Sequence, residues 1–310
     1  MQNVGEAYRS SSARNASNSF MNYDQPHSRG TMVMVQREAG MRAHTSLISF
    51  LAAGTVMGLA LAAGAAAPML RLADRSATAI PVDTELVIAV DVSFDMDFEE
   101  QKLQREGYIT GLTSREFMSA VRQGSRGKVA VTYFEWAGRY DQKIIMPWRL
   151  IDGPESANAV ANEIQRAPYR RAPRTSIFGA LQFAKPLFDA SGYNGLRRVI
   201  DVSGNGINNM GPRVATIRDD VLGAGITING LPIMLKRRSG YGVWEQGFES
   251  LDIYYKDCVT GGPSSFVIPI KEREQFKEAT RHKLVLEIAG RTPERRVIPA
   301  QTRTQREFCN

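Results

Sequence analysis

The chain has 310 residues, 43% hydrophobic and 23% charged, with a formal net charge of +7. This suits one domain of roughly 200 residues plus appendages, large enough to bury a core without staples. Two cysteines and three histidines, of which His27 and His44 precede the domain, argue against a multi-histidine zinc site, a Cys-His pair or a Ser-His-Asp triad. The third, His282, falls in a charged helical stretch and reads as a surface residue.

The basic excess is mild. Residues 1–67 carry five arginines against three acids, which leaves +5 for the rest of the chain. Nucleic-acid binding asks for a concentrated stripe with interleaved aromatics. The nearest approach, Lys236-Arg237-Arg238 before Tyr241 and Trp244, reads as a solvated loop, so no nucleic-acid partner is expected.

Residues 1–44 are polar, without a sustained period, and read as disordered or as an over-prediction upstream of a start at Met41. Residues 45–70 contain no charged side chain, with Arg37 and Arg42 before them and Arg71 and Arg75 after. The run is long enough to span a bilayer. It also ends in Ala63-Gly64-Ala65-Ala66-Ala67, as a signal peptide does before cleavage. We expect a cleaved signal, with an inner-membrane anchor as the alternative. Either way the domain beyond Pro81 lies outside the cytoplasm, periplasmic or secreted, and touches a membrane only through this segment. An oxidising compartment suggests a bridge between Cys258 and Cys309; two unpaired thiols are the alternative.

From residue 81 to 290 strands and helices alternate. Leu86–Val90 reads as a buried strand. Asp97 with Glu100 three positions on forms a capping box and opens a helix through Leu103 and Leu112, followed by a helix over Ser114–Arg122. A strand over Lys128–Glu135 turns back into Lys143–Trp148, whose Pro147 marks an edge. Helices are expected over Glu155–Arg166, Thr175–Phe188, Pro212–Leu222, Glu245–Lys256 and Glu272–Ile288. Further strands are expected over Arg197–Val202, Ile226–Ile233 and Ser265–Ile270. The fold class is therefore α/β. It is a doubly wound, mostly parallel sheet of about six strands with one antiparallel edge strand and helices on both faces. Residues 291–310 form a polar tail.

Oxygen-bearing side chains gather where such a sheet places its site, beyond the carboxyl ends of strands. They are Asp91-x-Ser93-x-Asp95 after the first strand, Thr175 at a helix start, and Ser203-Gly204-Asn205-Gly206 after a later strand. Carboxylates, hydroxyls and an amide without His or Cys favour Mg²⁺, Mn²⁺ or Ca²⁺ over zinc. Against this stands a bland reading, in which Asp91 caps a turn, Thr175 is an N-cap and the glycines only form turns. Asp91 to Asp97 opens like an EF-hand loop, but Met96 and Lys102 stand where Gly and Glu are needed.

This order of motifs resembles the metal-ion-dependent adhesion site of von Willebrand factor A domains, over roughly residues 81–290. The runs AVDVSFDMDFEEQKLQREGY, RTSIFGAL, RRVIDVSGNGINN and YYKDCVTGG more narrowly resemble a family of uncharacterised exported bacterial proteins with an A-like domain. The resemblance implies a binding protein with a protein partner, and no enzyme. It implies direct ligation by Ser93 and Thr175, and a hold by Asp91 largely through water. Asp95 and Asn205 depart from the family pattern, which has Ser and Asp there, so one negative charge is kept but moved. Asp97 and Glu135 are the possible bases for a rival hydrolase reading. A metal-free structural envelope protein is the other rival.

Overall fold

The computed structural model describes residues 78–235, 250–293 and 309. The expectations for residues 1–44 and 45–70, for Lys236 to Trp244 and for most of the tail lie outside these residues. Among the described residues no helix is long and apolar enough to cross a membrane.

The elements alternate as expected. In order they are β1 (Ile80–Asp91), α1 (Phe98–Leu112), α2 (Arg115–Gln123), β2 (Val129–Trp136), β3 (Gln142–Ile151), α3 (Pro154–Arg166), α4 (Ile177–Leu187), β4 (Tyr193–Gly204), α5 (Val214–Gly223), β5 (Ile226–Pro232), α6 (Leu251–Tyr254) and α7 (Phe276–Ala289). The sheet order is β3-β2-β1-β4-β5. Strands β2, β1, β4 and β5 run parallel, and β3 pairs antiparallel with β2 at the edge.

β1 is central and buried on both faces, which is why it reads as a continuous apolar run rather than an alternating one. Its side chains divide by parity. Leu86, Ile88 and Val90 face a core with Tyr108, Phe117, Ile164, Phe276 and Leu284 from α1, α2, α3 and α7. Val87 and Ala89 face the opposite core with Ile177, Leu181, Val214, Ile217 and Tyr255. α1 lies close against α7 because it carries glycine at the contact. A Cβ at Gly107 would stand 2.8 Å from the Thr280 hydroxyl.

Three boundaries differ from expectation. Ser265–Ile270 was expected as a sixth strand, yet it meets β5 only through isolated bridges, Gly230 with Val267 and Ile233 with Ile270. The reason is local: the Asn229 side chain accepts the amide of Phe266 (3.1 Å), and Pro232 has no N–H to donate. The described sheet therefore has five strands. The expected helix over Glu245–Lys256 begins only at Leu251, with 245–249 outside the described residues, and passes into a π-helical turn over Tyr255–Val259. The last helix is preceded by a 3₁₀ turn over Arg273–Gln275. The π turn carries Cys258, which is bonded to Cys309 with Cα atoms 5.2 Å apart. His282 is exposed, as its sequence context indicated.

Candidate metal-binding site

The strand order reverses between β1 and β4, so the crevice at their carboxyl ends is the switch point of the sheet. Asp91 is the last residue of β1, and Ser203 and Gly204 end β4 beside it. The chain beyond β1 is steered across this crevice. The Ser93 backbone N–H donates to Asp91 Oδ1 (2.7 Å), and Ala172 N–H donates to the Val92 carbonyl (3.1 Å), which brings the loop between α3 and α4 to the same edge. Asp97 then caps α1: its carboxylate accepts the Glu100 amide (2.7 Å) while Glu100 Oε2 accepts the Asp97 amide (3.0 Å).

The five predicted residues come together. Asp91, Ser93, Thr175 and Asn205 are all buried, and Asp95 is exposed at the mouth. Thr175 Oγ1 donates to Asp95 Oδ2 (3.2 Å). Asn205 Nδ2 donates to the Asp95 carbonyl (2.8 Å) and to Glu100 Oε2 (3.2 Å), which turns its Oδ1 the other way. The decisive feature is what remains unpaired. Asp91 Oδ2, Ser93 Oγ and Asn205 Oδ1 are buried without a hydrogen-bond partner. Buried oxygens are nearly always satisfied, so these three unpaired oxygens at three predicted positions are acceptors that a cation could engage. The residues present therefore fit a hard divalent ion.

The electrostatics agree. Burial pushes the Asp91 carboxyl up to about 7, opposed by hydrogen bonding from Ser93 and reinforced by the negative charge of Asp95. A cation in the crevice would supply the missing counter-charge. Thr175 is not the N-cap of α4; that role belongs to Ser176, whose Oγ accepts the Gly179 amide (3.0 Å). The Thr175 hydroxyl is thus left to the crevice. Gly204 is required by close approach, since a Cβ there would stand 2.8 Å from Asp91 Oδ2 and 2.9 Å from the Tyr255 hydroxyl. Among the described residues no cluster of three or more His, Cys, Asp or Glu could hold a metal. Hydroxyls and an amide would complete the ligand set here.

Several residues that shape the site escaped the sequence reading. Asn209 Oδ1 accepts the Thr175 amide (2.9 Å) and Asn208 Oδ1 accepts the Phe178 amide (3.1 Å), so the loop after β4 anchors the start of α4. The only hint was the local excess of Asn in GNGINN. Tyr255 sits beneath the crevice with its hydroxyl unpaired, and burial, then the Asp91 charge, raises its pKa well above the ordinary tyrosine value. The two acids considered as bases are occupied. Asp97 is the cap, and buried Glu135 is paired with Arg105 (2.7 Å) and Arg170 (3.1 Å).

The sheet order, the antiparallel edge and the crevice between β1 and β4 define a von Willebrand factor A-like domain. The chain belongs to the family described as protein of unknown function (DUF1194), which matches residues 81–292. No curated protein matches it. Solved structures similar to the chain include proximal thread matrix protein 1 of the mussel byssus, at 14% identity, covering 68% of this chain and 49% of that one, with a TM-score of 0.48. A second structure of that mussel protein, with a zinc-occupied MIDAS motif, has 14% identity, coverage of 68% and 49% and a TM-score of 0.46. A von Willebrand factor type A protein from Catenulispora acidiphila has 14% identity, coverage of 67% and 43% and a TM-score of 0.43. The chain spans about half the length of these proteins or less.

Proposed function

We propose that this is an exported binding protein, and not an enzyme, that takes a protein ligand through a divalent ion held by Asp91, Ser93, Thr175, Asp95 and Asn205. The observation that carries this reading is the set of three orphaned buried oxygens, on Asp91, Ser93 and Asn205. Mg²⁺, Mn²⁺ or Ca²⁺ suits the oxygen-only donors. Bound there, the ion would supply a Lewis-acid position for an oxygen of the partner. The disulfide supports export. The engagement of Glu135 by two arginines and of Asp97 by the α1 amide weighs against a hydrolytic base.

Isothermal calorimetry with Mg²⁺ and Mn²⁺ tests the site. We expect saturable binding to the wild type, loss of it in Asp91→Ala, and thermal stabilisation of about 2.7 kcal/mol at a hundredfold excess of ion over Kd. Absence of binding, with Asp91→Ala melting as the wild type does, would sink the reading. It would favour the metal-free structural protein, for which the Thr175–Asp95 hydrogen bond speaks: it closes two of the five groups on each other.

A further inference from the structure

Tyr255 is completely buried, yet its hydroxyl has no hydrogen-bond partner. Its neighbour Tyr254 differs, for that hydroxyl accepts the Asn208 amide (3.2 Å). Burying a phenol O–H unpaired costs stability that phenylalanine at the same place would not lose, and such a group calls for an explanation. Packing does not supply one. The ring fills the core, and the hydroxyl adds only an unmet donor.

The ring reaches its place because two neighbouring strands carry glycine beside it. A Cβ at Gly230 on β5 would stand 2.7 Å from Tyr255 Cδ1. A Cβ at Gly204 on β4 would stand 2.9 Å from the Tyr255 hydroxyl and 2.8 Å from Asp91 Oδ2. The two unpaired oxygens thus lie around one point, close enough to hydrogen-bond directly or through one shared water. The backbone that presents the tyrosine is held from several sides. Tyr255 opens the π turn, and the Thr260 amide donates back to the Tyr255 carbonyl (2.8 Å). Arg218 on α5 donates to the Asp257 carbonyl (2.7 Å), and Cys258 carries the disulfide. Single π turns of this kind recur at functional sites.

We propose that Tyr255 is a positioning residue for the metal, its hydroxyl donating to Asp91 Oδ2, directly or through one water, when the ion is bound. This rests on the proposed function, in which Asp91 holds the ion, and it adds the group that holds Asp91. The carboxylate has acceptor room for both. Its Oδ1 takes the Ser93 amide. Its Oδ2 takes the tyrosine from beneath and turns its other lone pair to the ion or to the ion's water. A ligating carboxylate held by a buried donor keeps its orientation, and loss of such a donor weakens metal binding.

Calorimetry, melting curves and near-ultraviolet spectra of the mature full chain with Mg²⁺ test this. Tyr255→Phe removes only the hydroxyl. It should bind Mg²⁺ about 10- to 100-fold more weakly. In EDTA it should melt no lower than the wild type, since the hydroxyl has no partner to lose there. Tyr133→Phe is the control, because Tyr133 is equally buried with an unpaired hydroxyl but lies in the opposite core. It should bind Mg²⁺ as the wild type does. A new hydrogen bond shifts the absorption of a phenol. Mg²⁺ should therefore produce a tyrosine difference spectrum in the wild type and in Tyr133→Phe that Tyr255→Phe lacks. Four results would each overturn this inference alone: Tyr255→Phe binding as tightly as the wild type, an equal loss of affinity in Tyr133→Phe, Mg²⁺ binding by the wild type without a tyrosine signal, or a Tyr255→Phe protein melting well below the wild type in EDTA. No Mg²⁺ binding to the wild type overturns the metal reading and this inference with it.

Discussion

Replacing Lys283 with methionine should be among the most damaging single changes in the domain. Lys283 lies on α7 with its side chain wholly buried, and its Nζ is 2.5 Å from both Asp201 Oδ1 on β4 and Glu287 Oε1 one turn along. Tyr108 on α1 donates to Asp201 (3.1 Å) and Asn229 on β5 donates to Glu287 (3.1 Å). The cluster therefore ties two helices to two strands across the core. Asp201 Oδ2 and Glu287 Oε2 have no hydrogen-bond partner, and among the described residues the Lys283 ammonium is the one cation paired with either carboxyl. Removing one member of a buried ion cluster costs about 3–5 kcal/mol, because the others stay buried and uncompensated. For about 200 residues, at about 2–4 °C per kcal/mol, the melting temperature should fall by roughly 6–20 °C. Burial, with the charge of Asp201 adding, pushes Glu287 up to about 8 against the opposing pull of Lys283. A carboxyl raised in the folded state contributes most stability below its unfolded range near ~4.3 and loses that contribution as pH rises toward 8. Without Lys283 the Glu287 carboxyl loses the pull that opposes its rise, so the deficit of Lys283→Met should be larger at pH 8 than at pH 5. Urea titrations of both proteins at the two pH values measure this. A deficit below about 1 kcal/mol, or one equal at both pH values, would show that the ammonium is not what neutralises the pair.

The bridge between Cys258 and Cys309 spans 51 residues. Cys258→Ser should therefore destabilise the oxidised protein by about 4 kcal/mol in the chain-entropy account, and adding reductant to the variant should cost nothing more. Gly204→Ala should perturb the crevice from behind by driving a methyl against Asp91 Oδ2 and the Tyr255 hydroxyl; weakened Mg²⁺ binding together with a lower melting temperature is expected, and a variant binding as the wild type would contradict the packing. N-terminal sequencing of the mature protein should begin between Ala63 and Ile80, and intact protein from Met1 in the cytosol would contradict export.

The placement of the candidate residues was largely legible because they follow directly on elements with strong local signals. The apolar run into Asp91 identifies a central strand, the Asp97–Glu100 capping box fixes where the next helix starts, and Pro147 marks the edge strand. What was not legible depends on contacts distant in sequence. Neither Thr175 nor Ser176 announces which of them caps α4; the choice is made by the Asn209 and Met210 positions some 34 residues on, which accept from Thr175 N and Ser176 Oγ. The expected sixth strand is reduced to isolated bridges because the Asn229 side chain takes the place of a backbone acceptor and Pro232 has no N–H to donate. The Lys283 cluster left no trace, since Lys283 and Glu287 four residues apart read as an ordinary exposed helix pair. Only the fold brings Asp201 underneath them.

The structure also gives a reason for the amide at 205, where the resembled pattern has a carboxylate. Glu100 Oε2 lies 3.2 Å from Asn205 Nδ2 and is held there because it also caps the Asp97 amide. An acid at 205 would place two buried carboxylates against each other and break the bond to the Asp95 carbonyl. Asn205→Asp should therefore destabilise the metal-free protein, by about 1–3 kcal/mol for the lost charge-assisted hydrogen bond plus the repulsion between carboxylates. In Mg²⁺ the same variant should gain affinity, because the added charge faces the ion, so its thermal stabilisation by metal should exceed that of the wild type. Adding Glu100→Gln restores a donor opposite the new acid. The double variant should recover much of the metal-free stability while keeping the gain in affinity, a coupling between the two sites of about 1 kcal/mol or more. Melting curves of the four proteins in EDTA and in Mg²⁺ complete the cycle. If Asn205→Asp melts as the wild type does in EDTA while Glu100 is present, the Glu100 contact is not what holds an amide at this position.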